Sequence, residues 1–386
     1  MTTDSTAVLR RAVRRWTPVG RTLSAAVPAL GVYAAVRLTG FLALVVYAWT
    51  AGKEPALLLG HTWDARWYAS IAEHGYGTTV RSRFSDLAYF PLLPGVERAL
   101  TTLVPLLSLP TAGILIGWLA ALGAAWGIHA VGRHLYDVRT ATWLVILWGL
   151  WPNALIQTMA YVESLMTALS AWALYAVLTK RWLWAGSLAL LAGLARPNGC
   201  AAAAAVVTAA VLALWRNPAG RRNPKLWAAP ALAPLGWLGY IAWVAVRTGT
   251  PTGYFAVQRA WGSEFDFGRY NLSFLAHLVL DGGLIPQYFA AVVVLAAPVA
   301  FVLLVRERLP APLVVYSAVL TAVALGGAHY FASRPRFLIP AFPLLFVAAR
   351  WASRARMPVL VPLVTGCTAL SACYGIYVLT ASTVAP

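Results

Sequence analysis

The chain has 386 residues, of which 60% are hydrophobic and 11% are charged, and its formal net charge is +18. A soluble domain carries about 25% charged and about 45–50% apolar residues, so this composition excludes an ordinary cytosolic enzyme. A membrane span takes about 20 residues, which leaves room for about ten or eleven spans with their loops. The composition therefore predicts an all-α polytopic membrane protein with about eleven transmembrane helices.

The positive charge does not indicate nucleic-acid binding, because the sequence contains no basic soluble domain with interleaved aromatic residues. Lys and Arg collect in the cytoplasmic loops of membrane proteins instead, so we expect no nucleic-acid partner. Cys200, Cys367 and Cys373 lie inside apolar runs, a pattern typical of packing residues rather than of disulfides or metal ligands.

Eleven apolar runs separated by polar or helix-breaking residues are predicted to be spans. They are Pro28–Trp49, Thr111–Val131, Thr140–Trp151, Glu163–Leu178, Trp182–Leu194, Pro197–Trp215, Leu226–Val246, Pro286–Val305, Ala311–Leu325, Pro335–Ala349 and Pro358–Leu379. We expect one membrane domain over residues 1–386, with a basic cytoplasmic tail at 1–27. Arg37 lies within the first run, which either spans with this arginine turned to the bundle interior or to the surface, or begins as an interfacial helix.

The charges are distributed unevenly between the two sides of these spans. With the N-terminus inside, 18 of the 30 Lys and Arg residues fall on the inner side and 9 of the 12 acidic residues on the outer side. This follows the positive-inside rule and predicts a multi-pass protein of the cell membrane with a cytoplasmic N-terminus. The two long connections, 50–110 and 247–285, then lie outside, so an active site is expected on the extracytoplasmic face.

The first long connection opens with HTWDARWYASIAEHGYG. Thr62 is expected to cap a short amphipathic interfacial helix in which Trp63, Trp67 and Ile71 share one face. Asp64 falls in the first turn, where the helix dipole favours a carboxylate. It is either a simple helix-terminal charge or a general base that accepts the proton of a hydroxyl group. FPLLPGVERAL predicts a second short helix.

Three arginines stand beside prolines at the outer ends of predicted spans. Arg196 belongs to RPNG, and Arg334 and Arg336 belong to SRPR. The guanidinium fork matches two phosphate oxygens, so these residues are candidates for a donor-phosphate clamp, with lipid headgroup contacts as the alternative. Asn198 in the RPNG segment is a candidate substrate-binding residue.

Four further residues are candidate substrate contacts. Glu163, at the start of its predicted span, either orients an acceptor hydroxyl or holds one of the arginines. Gln258 and Trp261 share a helical face and can hold a sugar ring, although an interfacial belt also explains Trp261. His74 follows Asp64 in the same motif, with a capping or core role as the alternative. No metal or other cofactor is expected, because no ligand spacing is present and arginines can supply the positive charge.

Six strings, in the same order along most of the chain, resemble the GPI mannosyltransferase 2 (PIG-V type) family and its bacterial relatives, which are membrane glycosyltransferases of the GT-C class. They are WDARWYASIAEHGY at 63–76, AYFPLLPGVERAL at 88–100, YVESL at 161–165, RPNG at 196–199, FAVQRAWG at 255–262 and SRPRFLIPAFPLL at 333–345.

This resemblance implies an inverting transfer of mannose from a polyprenyl-phosphate donor to a lipid-linked or glycolipid acceptor among the membrane lipids. An aspartate of the first outer loop acts in that class, and Asp64 is the matching residue. The Ala- and Arg-rich composition indicates a bacterial chain, for which a cell-envelope glycolipid replaces a GPI anchor as the expected acceptor. A transporter or flippase of lipid-linked saccharides, and a GT-C enzyme that uses another sugar, are the alternatives.

Overall fold

The computed structural model describes residues 19–77 and 84–385, and the regular elements in that part are helical. Its α-helices are α1 (Val19–Thr50), α2 (Pro55–Gly60), α3 (Asp64–His74), α4 (Leu92–Leu103), α5 (Leu109–Leu135), α6 (Val138–Gly149), α7 (Glu163–Leu178), α8 (Trp182–Ala195), α9 (Cys200–Arg216), α10 (Pro224–Leu232), α11 (Leu235–Thr248), α12 (Gly253–Ala260), α13 (Arg269–Leu280), α14 (Ile285–Arg306), α15 (Ala311–Gly326), α16 (Arg334–Phe337), α17 (Phe346–Arg354) and α18 (Met357–Thr380).

Within the described part, six helical segments are long and apolar enough to cross a membrane. They are Gly20–Thr50, Leu109–Leu135, Pro197–Arg216, Pro224–Thr248, Ile285–Arg306 and Met357–Thr380. A helix rises about 1.5 Å per residue, so each segment reaches across an apolar layer of about 30 Å. The prediction of an all-α, multi-pass membrane protein is confirmed.

The remaining predicted spans are short or broken. The helices α6, α7, α8 and α15 have 12–16 residues each. Pro335–Ala349 is not one continuous span, because Phe331–Phe337 and Phe342–Arg354 meet at a bend of 83°. Prolines at 340 and 343 remove backbone N–H donors at this bend, and a helix cannot continue through them.

Side chains of α6, of the loop after α6 and of α15 donate to three carbonyl groups of the broken segment. Three bonds of 2.8–2.9 Å are donated to it: Trp148 Nε1 to Ile339 O, Trp151 Nε1 to Pro335 O and Tyr316 Oη to Pro340 O. Non-helical backbone at membrane depth is tolerated only where the protein supplies such partners. These bonds hold in place the short helix α16, which carries two of the candidate arginines.

Glycines on α5 set the depth of the loop that precedes α7. A side chain on Gly117 would collide with the carbonyl oxygen of Met159, and one on Gly113 would collide with Ala160. Both glycines lie in the first three turns of α5. The loop therefore lies near the end of the bundle at which α5 begins, which we call the site end.

Arg37 faces the interior of the protein. It lies near the middle of the continuous helix α1, and the residue is only 3% exposed. Of the alternatives for this residue, the structure supports a spanning helix with the arginine turned into the bundle.

The two short helices predicted in the first long connection are present as α3 and α4. The expected cap is wrong, since α3 is preceded by Trp63, and Thr62 Oγ1 instead donates to Leu58 O at 2.7 Å. The Thr62 hydroxyl is thus used to close the end of α2. On α3, Ile71 is buried and Trp67 is half-buried, and Trp63, which precedes the helix, is exposed.

Glu97 on α4 generates a prediction about stability and pH. The residue is 1% exposed beside α5, and burial raises the pKa of its carboxyl group from 4.5 to about 8. Between pH 4.5 and about 8, the Glu97 carboxyl group ionises in the unfolded chain but stays protonated in the folded protein. The free energy of unfolding therefore falls as the pH rises through this range. We expect the unfolding temperature of the detergent-solubilised protein to fall over this range, and Glu97→Gln to remove most of the fall.

The matched control is Glu73→Gln, because the Glu73 side chain is 62% exposed. This control should keep the pH dependence of the wild type. Parallel curves for wild type and Glu97→Gln between about pH 5 and 8 would contradict the assignment.

Candidate active site

Asp64 is the first residue of α3 and lies at the site end of the bundle. The preceding Trp63 has a φ of 53°, which is uncommon for a bulky residue and turns the chain abruptly into the helix. The helix N-terminus favours a carboxylate, and the Asp64 side chain remains 22% exposed. Its backbone N–H donates to the Tyr161 hydroxyl at 3.3 Å.

Tyr89 holds the other side of the Asp64 carboxylate. Its hydroxyl donates to Asp64 Oδ1 at 3.4 Å. Burial, followed by the nearby Asp64 carboxylate, raises the pKa of Tyr89. The hydroxyl therefore stays protonated and acts as a donor.

Arg336 on α16 bridges Asp64 and Glu163. Its Nη1 atom lies 2.8 Å from Asp64 Oδ2, and its Nε atom lies 3.3 Å from Glu163 Oε1. The side chain is 7% exposed and lies over the Tyr161 ring, 5.3 Å from its centre. The Nε and Nη1 atoms are buried and make ion pairs without hydrogen-bond alignment. Two carboxylates that are distant in sequence thus meet at one guanidinium.

Glu163 also holds Arg196. Arg196 Nη1 forms an ion pair with the same Oε1 atom that faces Arg336. Glu163 is the first residue of α7 and is 1% exposed, and its Oε2 atom is buried without a hydrogen bond. Arg196 and Arg336 both lie over the Phe337 ring, at 5.0 and 5.4 Å from its centre. These contacts favour the interpretation in which Glu163 holds the arginines.

Arg334 turns away from the two acids. Its Nη2 atom donates to the carbonyl oxygens of Gly327 and His329, the latter at 2.6 Å. The residue is 2% exposed, and its guanidinium lies 5.7 Å from the Phe337 ring. Residues two apart in a helical turn point in different directions, so Arg334 and Arg336 reach different polar partners although both lie near the Phe337 ring. The geometry gives Arg334 a role in holding the loop after α15.

Gln258 and Trp261 bind the first long connection rather than an open surface. Gln258 Nε2 donates to Ala88 O at 3.2 Å and to the Tyr254 hydroxyl at 2.9 Å. Trp261 Nε1 donates to Ser85 O at 2.9 Å. The side-chain N–H groups of both residues therefore join the two long connections, and their expected role in holding a sugar ring stays a prediction.

An aromatic wall, formed by Trp67, Tyr89 and Trp261, extends from this junction to Asp64. Trp67 and Tyr89 are stacked with their ring centres 5.6 Å apart. Trp261 meets both rings edge-on, at 5.1 and 5.5 Å. Since the Tyr89 hydroxyl contacts Asp64, the aromatic wall borders the carboxylate.

The structure does not bring His74 to Asp64, Glu163 and the arginines that they contact. It lies at the opposite end of α3, about 15 Å from Asp64 along the helix axis. Its side chain is 57% exposed and lies close to Ser70 O and Glu73. Asn198 is buried in the 3₁₀ turn Pro197–Gly199, directly after Arg196.

Sequence reasoning gave no role to Tyr89, Tyr161 or Phe337. Their signal was weak, since each is one apolar or aromatic residue within AYFPLL, YVESL or SRPRF. In residues 19–77 and 84–385, no group of three or more His, Cys, Asp and Glu side chains is placed to hold a metal ion. The expectation of no metal or cofactor stays a prediction.

The fold is similar to that of ArnT from Cupriavidus metallidurans bound to undecaprenyl phosphate, with a TM-score of 0.53 and 15% identity over 92% of this chain and 64% of that one. The apo state of the same protein gives a TM-score of 0.48 and 16% identity over 87% and 63%. Comparisons with protein-family models and with curated proteins give no match.

At this level of identity the similarity shows the fold alone. The chain has an ArnT-like membrane fold and spans just under two thirds of the length of that neighbour. The fold expected from the sequence resemblance is confirmed, whereas the PIG-V branch stays a prediction.

The junction of the two long connections generates a second prediction. Trp261→Phe keeps the aromatic contacts and removes the bond to Ser85 O, which we expect to cost about 1 kcal/mol of local stability. Hydrogen exchange of residues 84–90 should accelerate by about fivefold. Trp184→Phe, at a residue that is 64% exposed on α8, is the control and should leave this exchange unchanged. Equal exchange in Trp261→Phe and wild type would refute the role of the bond.

Proposed function

We propose that this chain is a membrane glycosyltransferase that passes a sugar from a polyprenyl-phosphate donor to an acceptor hydroxyl, with inversion. The observation that carries the proposal is a partly exposed Asp64 carboxylate beside the largely buried guanidinium groups of Arg196 and Arg336, at one end of an ArnT-like fold. Transfer from a phosphate-linked sugar requires both a base and a stabiliser of the leaving phosphate.

The proposed step begins at Asp64. Its carboxylate accepts the proton of the acceptor hydroxyl while that oxygen forms a bond to the sugar carbon. On the opposite side of the carbon, the bond to the phosphate oxygen breaks, and the electron pair leaves with the polyprenyl phosphate. Arg336 and Arg196 stabilise this charge, because guanidinium hydrogen bonds to phosphate are strong and can be two-pronged. Glu163 holds both guanidinium groups in place.

The chemical identities of donor and acceptor have separate support. The similar ArnT structure is bound to undecaprenyl phosphate, which favours a polyprenyl-phosphate lipid here. The resemblance of six sequence strings to the PIG-V type family favours mannose as the sugar and a lipid-linked or glycolipid acceptor. A GT-C enzyme for another sugar and a transporter of lipid-linked saccharides are the competing functions.

The charge distribution supports an extracytoplasmic site. Arg133, Arg139, Arg306 and Arg354 lie at the ends of their helices away from Asp64. Because Lys and Arg favour cytoplasmic loops, that end is proposed to be cytoplasmic, with the N-terminus on the same side.

A direct test replaces the proposed base. Asp64→Asn should lower transfer of label from polyprenyl-phosphate mannose by about 10²- to 10⁴-fold, because the amide cannot accept the proton. Asp281→Asn is the control, since that carboxylate is 57% exposed and lies beside His277 at the end of α13. Undiminished transfer by Asp64→Asn would remove Asp64 as the base. Translocation of the lipid by wild type without any transfer would favour the transporter.

The phosphate site has its own test. Arg336→Ala should raise the donor KM or lower kcat by about 10- to 100-fold, because charged hydrogen bonds contribute about 1.5–3 kcal/mol. Arg336→Lys should recover only part of this loss, since lysine lacks the planar fork. Arg354→Ala, at an exposed arginine of α17, is the control. Unchanged kinetics in Arg336→Ala would exclude a role in binding the phosphate.

A further inference from the structure

The two partners of Arg336 differ in how firmly they are held. Glu163 is 1% exposed and is fixed by a second arginine, Arg196. Asp64 is 22% exposed and faces the aromatic wall. Glu163 is therefore the permanent anchor of Arg336, and Asp64 is the partner that can be exchanged.

The guanidinium of Arg336 is not satisfied by these partners. Its Nε and Nη1 atoms are buried and lie close to the acids, but neither makes an aligned hydrogen bond. Buried donors without a good acceptor are costly, so an anion with better geometry would be bound in preference. Phosphate oxygens match the guanidinium fork in this way.

The charges of the resting site also cancel. Arg196 and Arg336 carry two positive charges, and Asp64 and Glu163 carry two negative charges. A phosphodiester that enters this site leaves an excess negative charge beside the two guanidinium groups unless one carboxylate withdraws from them. Asp64 is the carboxylate able to withdraw. When its Oδ2 atom leaves Arg336, the Tyr89 hydroxyl still donates to Oδ1, and the backbone N–H of Asp64 still donates to the Tyr161 hydroxyl.

We propose that the donor phosphate displaces Asp64 from Arg336, so that binding of the donor releases the base. This inference rests on the proposed function and adds its regulation. Without donor, the Oδ2 atom of Asp64 is paired with Arg336 and does not accept a proton from the acceptor hydroxyl or from water. With donor bound, Oδ2 is free to accept the hydroxyl proton as the new C–O bond forms and the bond to phosphate breaks.

The test measures binding of a phosphate lipid rather than transfer. Asp64→Asn removes the negative competitor for Arg336 with little change of shape. The purified full-length variant should therefore bind undecaprenyl phosphate about 5- to 10-fold more tightly than wild type, although it is inactive in transfer. Asp281→Asn should bind as wild type does. Equal or weaker binding by Asp64→Asn, with an unchanged unfolding temperature, would overturn the inference.

A double-mutant cycle shows whether Arg336 carries the effect. In the Arg336→Ala background, Asp64→Asn should change the affinity for undecaprenyl phosphate by less than about twofold. The same tightening in both backgrounds would overturn the exchange, because it would show a general charge effect. If wild type shows neither binding of the lipid nor transfer, the proposed function itself fails. Binding without tightening overturns only the release of the base.

Discussion

Arg336 joins two carboxylates whose helices are separated by about a hundred residues, and the surrounding structure depends on this contact. It lies 2.8 Å from Asp64 and 3.3 Å from Glu163, with the aromatic rings of Tyr161 and Phe337 around it. Charges inside a membrane domain are costly unless they are paired. Arg336 therefore offsets part of the charge of both acids, and Arg196 adds a second ion pair to Glu163.

The broken segment between Phe331 and Arg354 is what delivers Arg336 to this position. Prolines interrupt the helix, and side chains of α6, α15 and the loop after α6 donate to its free carbonyl groups. The cost of irregular backbone in the membrane domain is thus offset by bonds that also fix its position. Close packing at Gly113 and Gly117 sets the depth of the loop that leads to Glu163.

The two long connections cover this group of charges from the other side. Trp261 and Gln258 bond to the first connection, and the aromatic wall borders Asp64. Asp64 therefore lies between a buried ion pair and an aromatic surface and keeps partial access to solvent. This position suits a carboxylate that exchanges partners better than it suits a carboxylate that only stabilises the fold.

The membrane class, the helices of most apolar runs and the two short helices near Asp64 could be predicted, because they follow from composition and periodicity along the chain. The residue types of the site were also predictable: Asp64, Glu163, Arg196 and Arg336 are charges at the ends of apolar runs. The sequence could not predict in which direction each side chain points. Arg334 and Arg336 look equivalent in SRPR, yet only Arg336 meets the acids.

The surroundings of His74 and Trp261 could not be predicted either. The partner of the Trp261 N–H, Ser85 O, is a backbone group distant along the chain that carries no sequence signal. His74 instead lies at the far end of its own helix and contacts Ser70 O and Glu73. Hydropathy and local charge are properties of single segments, so the amino-acid sequence by itself determined the membrane class and the residue types available for chemistry. Pairing depends on how separate segments pack, so only the tertiary structure decided that Arg336 joins Asp64 to Glu163.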